Sequence, residues 1–286
     1  MTKLQRLSVE VFPPKSDEAE AQLFDTLDAL APLAPDYVSV TYGAGGSTQA
    51  RSLGVVDRLL GQHKLDVAAH LTCVGQARAE VDALADSWWS KGIRRIVALR
   101  GDAQGEGGYR PHANGYVNAA DLTAGLKQLH PFTIAVGAYP EKHPDSADMA
   151  ACIANLKAKQ DAGADCAITQ FFFDADTYLR WLDQARKAGV SLAMIPGIMP
   201  IMSFAGITRF AAQCQASIPA SVGEAFAKAG EDKAAQRAVS VELCADLCRR
   251  LIAGGVEHMH FYTLNRPELT LAVADAIGYC PAARAA

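Results

Sequence analysis

Short apolar runs and amphipathic helical segments alternate eight times along this chain of 286 residues. Each apolar run suits a strand that is buried on both faces, and each following segment places apolar residues on one helical face. This strict alternation is typical of a parallel sheet with its crossover helices outside. Strands are predicted at residues 7–12, 37–41, 67–71, 96–99, 132–138, 166–172, 192–195 and 258–262.

The helices of these units begin at capping residues and end at glycines or prolines, as at Ser16 and Gly163. Eight strand–helix units predict an α/β fold, a (β/α)8 TIM barrel, forming a single domain over residues 1–286. A doubly wound sheet is less favoured, because no Gly-x-Gly-x-x-Gly follows the first strand and no Walker loop occurs. Helices are predicted at residues 16–33, 48–60, 77–90, 119–129, 148–162, 175–188 and 267–277, with a longer helical region at about 204–253.

Composition excludes several classes of function. The net charge is −4 and charged residues make up 20%, so no basic field suggests nucleic acid or an anionic membrane as a partner. No apolar run is long enough to span a bilayer, and the first residues lack the apolar segment of a signal peptide. Seven cysteines lack a disulfide-like pattern, and Cys244 and Cys248 alone are too few for a structural zinc site. We therefore expect a reduced, cytoplasmic protein.

Polar residues follow seven of the eight predicted strands. In a (β/α)8 barrel the carboxyl ends of the strands carry the active site, so these side chains are predicted to converge on one mouth. The clearest case is Arg100-Gly101-Asp102, directly after the apolar run Ile96–Leu99. The other residues are Glu10, Thr41, Tyr42, His70, Thr72, Tyr139, Glu141, His143, Gln170, Tyr262, Asn265 and Arg266.

Two carboxyl groups in this set are candidates for catalysis. Glu10 has the apolar neighbours Val9 and Val11, and burial there is expected to favour its neutral, proton-donating form. The alternative is an outward-facing carboxylate beside a helix. Asp102 follows Arg100, and the nearby cation is expected to keep it ionised. The pair could then divide the acid and electrostatic roles.

Two further patterns have alternative interpretations. His258 and His260 share one face of the last strand, as in metal-dependent barrel hydrolases, but those enzymes carry the pair on their first strand with further ligands on later ones. No such set completes this pair, so we predict no metal site. Phe171-Phe172-Phe173 could form an aromatic wall for a flat ligand or ordinary barrel packing, and the sequence leaves both open.

Ordered motifs at the strand ends resemble those of one family. They lie at residues 9–14, 38–44, 70–73, 98–102, 138–141, 169–174, 196–200 and 260–266. Over nearly its full length the chain resembles bacterial methylenetetrahydrofolate reductase. We expect no counterpart of the regulatory second domain of the eukaryotic enzymes.

The resemblance implies a flavin, normally FAD, at the barrel mouth, reduced by NADH or NADPH. The reduced flavin would pass a hydride to 5,10-methylenetetrahydrofolate and give 5-methyltetrahydrofolate in a ping-pong reaction. Glu10 would be the general acid that helps open the folate's five-membered ring, and Asp102 would face both flavin and folate. Gln170 and Arg266 would also contact the folate. The positions that would hold the flavin are Thr41, His70, Arg100, Gly101, Asp102, Ala119, Tyr139, His143, Asn155 and Lys159. Relatives are often oligomers, so a homo-oligomer is expected.

Three positions depart from the family pattern. Ala158 replaces an arginine near the flavin phosphates, Cys152 replaces an acidic residue near the flavin ribose and adenine, and Gly206 replaces a glutamine that often touches substrate. These changes predict weaker flavin binding and leave FMN as an alternative to FAD. The competing hypotheses are a pterin-binding methyltransferase barrel without flavin and a non-catalytic flavin or folate binder.

Overall fold

The computed structural model describes residues 3–41, 52, 54–63, 65–103 and 108–281. The strands within these ranges are β1 (Arg6–Val11), β2 (Val38–Val40), β3 (Val67–Thr72), β4 (Arg95–Leu99), β5 (Thr133–Ala138), β6 (Cys166–Thr169), β7 (Ala193–Ile195), β8 (Gly197–Ile198) and β9 (His258–Tyr262). All strand pairs are parallel, in the order β7-β6-β5-β4-β3-β2-β1-β9-β8. Tyr42, one of the predicted mouth residues, lies outside the described residues.

Helices follow the strands and cover the outside of the sheet. They are α1 (Asp17–Leu30), α2 (54–58), α3 (Arg78–Ser90), α4 (Ala119–Leu129), α5 (Met149–Asp161), α6 (Ala175–Lys187), α7 (Phe204–Cys214), α8 (Ala220–Ala229), α9 (Lys233–Ala253) and α10 (Glu268–Ala276). A short 3₁₀ helix (Ala31–Leu33) extends α1, and a π-helical turn (Leu59–His63) follows α2. Side chains cap the first turns of several helices, including those of Ser16, Asn118, Asp148 and Asp174.

The sheet closes at Pro196, which divides the seventh strand of the predicted barrel into β7 and β8. Proline has no N–H to donate to a strand ladder. The residues before it pair with β6, and Gly197 and Ile198 pair with β9 instead. The carbonyl of Pro196 accepts a hydrogen bond from the N–H of His260 at 3.0 Å. The predicted (β/α)8 barrel is therefore confirmed, with a seventh strand that changes partner halfway along.

Alternation along the strands separates two apolar layers. Residues such as Leu7, Val9 and Ile96 point outward into the large core between strands and helices. The residues that alternate with them point into the barrel interior. One part of this interior is lined by apolar side chains. The apolar interior consists of Tyr37, Ala68, Val97, Ala135, Ile168 and Ile195.

The longer helical region predicted over about residues 204–253 consists of three helices, α7, α8 and α9. Gln215 ends α7 with a φ of +54°, Pro219 precedes α8, and Gly230 ends α8. Helices α7 and α8 share a separate apolar cluster with Phe171 and Met199. This cluster places α7 beside the carboxyl ends of β6 and β8, so α7 forms one wall of the barrel mouth.

Candidate active site

Two joined cavities open at the carboxyl ends of the strands, with volumes of about 360 Å³ and about 540 Å³. Glu10, His70 and Tyr139 line both of them, together with Leu99, Gly137 and Ala138. The smaller cavity has a mostly apolar wall and the larger one carries several charged groups. Glu10 therefore lies where two chemically different spaces meet.

The Glu10 carboxylate is surrounded by donors from three other strands. Its Oε2 lies 3.3 Å from Nε2 of His70 and 3.5 Å from Nε2 of His260, and accepts a hydrogen bond from Oγ of Ser39 at 3.3 Å. Its side chain keeps 19% of its surface exposed. Burial raises the pKa of Glu10, but the nearby imidazoles of His70 and His260 outweigh burial and lower the pKa to about 2. The expectation that burial would keep Glu10 neutral is therefore wrong for this structure.

His70 presents a polar atom to this junction. The residue is buried, and its Nε2 lacks hydrogen-bond geometry toward Glu10 despite the 3.3 Å separation. Among the described residues this nitrogen has no hydrogen-bond partner. A buried nitrogen without a partner costs free energy, so the site provides a place for a polar ligand atom.

His258 and His260 both make contacts with other side chains of the protein. Oγ of Ser8 lies 3.0 Å from Nε2 of His258 and 2.8 Å from Nδ1 of His260. The Tyr37 ring stacks on His260 and meets His258 edge-on, with centroid separations of 5.8 and 5.9 Å. The shared face predicted for the two histidines is the barrel interior, where both imidazoles bond to a serine.

The Arg100-Gly101-Asp102 turn forms one wall of the larger cavity. The guanidinium of Arg100 pairs with Asp145 at 2.6 Å and lies over the Tyr109 ring. Asp102 is exposed along the same cavity. The cation expected to pair with Asp102 is thus directed elsewhere, because a loop 45 residues away supplies a better-placed carboxylate.

Gly101 is required by its position in this turn. Its φ is +88°, and an added Cβ would overlap the side chain of Val74. Glycine therefore allows the backbone to pass close to β3 at the edge of the cavity.

Helix α5 lines the opposite wall with residues one turn apart. Cys152, Asn155 and Lys159 face the larger cavity at helical spacing. Lys159 is 7% exposed, and its Nζ donates to the carbonyl of Gly137 at 2.8 Å. Burial lowers the pKa of Lys159 to about 8. Ala158 is exposed on the same helix.

Tyr139 and His143 lie between these walls. Their rings meet edge-on with centroids 4.6 Å apart, and the backbone N–H of His143 donates to Sγ of Cys152 at 3.3 Å. Burial raises the pKa of Tyr139 to about 12 and lowers the pKa of His143. Both side chains are therefore biased toward their neutral forms.

The smaller cavity is shaped by aromatic and aliphatic side chains. Phe210 of α7 stacks on Phe171 at 5.2 Å, and Phe210, Met199 and Gln170 line the space. Phe172, by contrast, stacks on Tyr178 beneath α6. The aromatic triplet thus combines both interpretations, since Phe171 supports a wall of the cavity through Phe210 and Phe172 packs in the outer core.

Most of the predicted site residues line the two cavities. Those on the larger cavity are Glu10, Thr41, His70, Arg100, Gly101, Asp102, Ala119, Tyr139, His143, Asn155 and Lys159. Gln170 lines the smaller one. Arg266 is exposed and does not line either of these two cavities, and the carboxylate of Glu141 instead accepts hydrogen bonds from Ser217.

Sequence reasoning missed Ser8, Ser39 and Asp145. Ser8 had a usable signal, because it alternates with Glu10 and so shares its face of β1. Ser39 lies directly beside Glu10 in the β1–β2 register. The pairing of Asp145 with Arg100 left no sequence signal, since it depends on how the loop after β5 folds.

The larger cavity suits a planar cofactor with a phosphate-bearing tail. Arg100 and Lys159 provide cations, the N terminus of α4 begins at Ala119, and Gly101 allows close approach. His70 offers its unpaired nitrogen at the inner end. The chemistry of the donors therefore fits a flavin.

Comparisons with known proteins agree with one another. The family model described as methylenetetrahydrofolate reductase matches residues 2–278. The 5,10-methylenetetrahydrofolate reductases of Salmonella typhimurium and Escherichia coli are 40% and 39% identical over 275 residues, which is 96% of this chain and 91% of each relative.

A solved structure shows the same fold with little sequence identity. It is an uncharacterized protein from Clostridium thermocellum, described as binding two copies of 5-methyl-5,6,7,8-tetrahydrofolic acid. Its TM-score is 0.63 at 13% identity, with 97% of this chain and 96% of that chain covered. At this identity the likeness supports the barrel fold alone.

Proposed function

The chain belongs to the methylenetetrahydrofolate reductase family, and we propose that it reduces 5,10-methylenetetrahydrofolate to 5-methyltetrahydrofolate with electrons from NADH or NADPH carried by a bound flavin. The observation that carries the proposal is the position of Glu10, at the junction of a polar, cationic cavity and a mostly apolar one. A flavin in the first cavity and a pterin in the second would meet beside this carboxyl group.

The flavin, when bound, accepts a hydride from the nicotinamide and donates one to the folate. Arg100 and Lys159 would hold its anionic tail. Thr41, Tyr139 and His143 line the same cavity and would contact the rest of the cofactor. His70 would bond to a polar atom of the cofactor or substrate through its free Nε2. FAD is the expected cofactor, with FMN as the alternative because Cys152 and Ala158 depart from the family pattern.

Glu10 would deliver the proton that opens the folate ring. Nε2 of His70 and Nε2 of His260 each lie within 3.5 Å of Oε2 of Glu10, so this group of three side chains can hold a proton close to the carboxylate. A proton held by this group can pass to the substrate nitrogen through Glu10. We therefore assign the acid to the cluster as a whole, with Glu10 as the member that touches substrate.

Asp102 and Gln170 would act on the folate and the flavin from opposite sides. Among the residues that the structure describes, no cation pairs with Asp102, whose carboxyl group lies on the cavity edge. Such a charge would stabilise a cationic folate intermediate by preorganised electrostatics. Gln170 lines the smaller cavity, and a contact of Arg266 with the outer part of the folate remains a prediction.

One experiment distinguishes the proposed reductase from two competing functions. A pterin-dependent methyltransferase would carry no flavin, and a passive binder would carry one without turnover. The purified protein should show a flavin absorption spectrum that NADH or NADPH bleaches under anaerobic conditions. Adding 5,10-methylenetetrahydrofolate should restore the oxidised spectrum and yield 5-methyltetrahydrofolate. An absent flavin or a spectrum that stays bleached would reject the reductase.

We further propose a cytoplasmic, homo-oligomeric enzyme. The seven cysteines are free thiols, which suits a reducing compartment. Within the described ranges, no helix is long and apolar enough to cross a membrane. Size-exclusion chromatography with light scattering would measure the oligomeric state.

A further inference from the structure

One side of the barrel interior is polar, although such interiors are normally filled by branched apolar side chains. Inward-facing residues of β1 and β9 lie side by side in register, with Arg6 beside His258, Ser8 beside His260 and Glu10 beside Tyr262. At a rise of about 3.3 Å per residue, this polar strip extends about 13 Å along the barrel. Burying so many polar groups costs free energy unless they are bonded.

The strip is a continuous hydrogen-bonded chain. His258 Nε2 lies 3.0 Å from Ser8 Oγ, which lies 2.8 Å from His260 Nδ1. His260 Nε2 lies 3.5 Å from Glu10 Oε2 and 3.3 Å from Oγ of Ser39, which itself donates to Glu10. Ser8 and His260 are completely buried, whereas His258 at the amino-terminal end keeps 6% exposed.

The bonding pattern has one consistent direction. An ionised Glu10 only accepts, and Ser39 gives its proton to Glu10, so Nε2 of His260 must be the donor to Ser39, and the same nitrogen lies 3.5 Å from the carboxylate. A neutral His260 then accepts at Nδ1, which makes Ser8 the donor to it. Ser8 in turn accepts from Nε2 of His258. Every proton in the chain therefore points toward Glu10.

We propose that His258, Ser8 and His260 form a proton relay that resupplies Glu10 from the amino-terminal end of the barrel. The proposal rests on the proposed function, in which Glu10 gives up one proton per turnover. Cofactor and substrate would fill the two cavities above Glu10 and separate it from water at the mouth. The lower end of the barrel stays accessible, because Arg6 beside His258 has 58% of its side chain exposed.

One proton moves in the relay for each proton that Glu10 gives to the substrate nitrogen. Glu10 accepts a proton from Nε2 of His260, whose Nδ1 accepts the proton of Ser8 Oγ. Ser8 accepts the Nε2 proton of His258, and Nδ1 of His258 takes a proton from solvent. Rotation of the two imidazoles and the hydroxyl restores the starting orientation.

Charged and titratable groups around the lower histidine keep it neutral between transfers. Arg6 of β1, Arg95 of β4 and His260 of β9 face His258, the Tyr37 ring meets it edge-on, and Asp36 and Cys166 lie near Tyr37. Burial, together with the cations of Arg6 and Arg95, lowers the pKa of His258 to about 3. A neutral imidazole can take a proton at one nitrogen as it releases one from the other.

The direction of the chain can be tested without turnover. Nitrogen-15 NMR of the histidine rings in the flavin-loaded protein should show both His258 and His260 protonated at Nε2 and bare at Nδ1. His258→Gln assigns the signals of His258 by their loss. A proton on Nδ1 of His260 would overturn the relay, because Ser8 could then no longer pass a proton toward Glu10.

Kinetics test the transfer itself. Glutamine keeps a donor for Ser8 but cannot exchange protons, so His258→Gln should slow folate reduction by about 10- to 100-fold, the lower part of what general acid catalysis supplies. The solvent deuterium isotope effect on this step should rise, while flavin reduction by NADH stays unchanged. Ser8→Ala breaks the chain at its middle and should give the same pattern.

Thr270→Val is the control, since it removes a buried hydroxyl of α10 that has no hydrogen-bond partner within the described ranges and lines neither cavity. It should leave both half-reactions at wild-type rates. Wild-type rates and isotope effects in His258→Gln and Ser8→Ala would refute the relay. A wild-type protein that fails to reduce the folate would refute the proposed function instead, and the NMR result would still decide the direction of the chain.

Discussion

Gly197→Ala tests the link between barrel closure and the site. Gly197 begins β8, and an added Cβ would overlap the carbonyl oxygen of Thr169 and the ring of Tyr262. Backbone cannot move away cheaply here, because Gly197 pairs with His260 and its N–H donates to Oγ1 of Thr169 at 2.9 Å. The ring of Tyr262 must therefore be displaced.

The expected loss in the free energy of unfolding has two contributions. Overpacking of a well-packed interior costs about 1–3 kcal/mol. Moving Tyr262 also breaks its 2.7 Å hydrogen bond to the carbonyl of Thr169, worth about 0.5–1.5 kcal/mol. The free energy of unfolding should fall by roughly 2–4 kcal/mol, which lowers the melting temperature by roughly 4–16 °C at about 2–4 °C per kcal/mol.

Gly137→Ala is the matched control in a neighbouring strand. A Cβ at Gly137 would meet Leu99 at 3.6 Å, an ordinary contact. Differential scanning calorimetry of both variants distinguishes the steric overlap expected at Gly197 from the general effect of adding a methyl group to a strand. If Gly197→Ala melts within about 1 °C of Gly137→Ala, a shift expected for well under 1 kcal/mol, the closure described at Pro196 is wrong.

Three other predictions concern the charged groups of the site. Asp102→Asn should raise the flavin midpoint potential in dye equilibration, since reduction adds negative charge, and leave the melting temperature unchanged because the side chain is exposed. Ala158→Arg should tighten FAD binding by roughly tenfold or more in titrations of apoprotein, at about 1.5–3 kcal/mol for a charge-assisted hydrogen bond; unchanged affinity would show that Lys159 already supplies the cation. The pKa of Glu10 falls from 4.5 to about 2 on folding, so its contribution to stability is present above pH 4.5 and lost toward pH 2. Glu10→Gln should therefore lose less stability than wild type across that window in acid denaturation.

Local patterns in the sequence were sufficient to predict the barrel. The alternation of strands and helices is visible because each segment's own pattern of apolar residues shows which of its faces is buried. The division at Pro196 was missed because Gly197 and Ile198 are too short to read as a strand, and their partner β9 lies about 60 residues later. Pro219 and Gly230 were visible helix breaks inside the predicted helical region, although the prediction did not divide it into separate helices.

The candidate site was predictable in position but not in electrostatics. The strand-end rule located Glu10 and Arg100, since it depends only on topology. The ionisation of Glu10 depends on His70 and His260, and the latter lies 250 residues away in the chain. Arg100 likewise pairs with Asp145 rather than with its sequence neighbour Asp102. Contacts of this kind follow from the tertiary fold alone.

The central claim is that Glu10 supplies the proton for the folate step and has no part in the nicotinamide step. Anaerobic stopped-flow measurements of the two half-reactions in wild type and Glu10→Gln test it directly. Flavin reduction by NADH should keep its wild-type rate, and flavin reoxidation by 5,10-methylenetetrahydrofolate should slow by about 10²–10⁴-fold. Equal losses in both half-reactions, or no loss in either, would contradict the role assigned to Glu10.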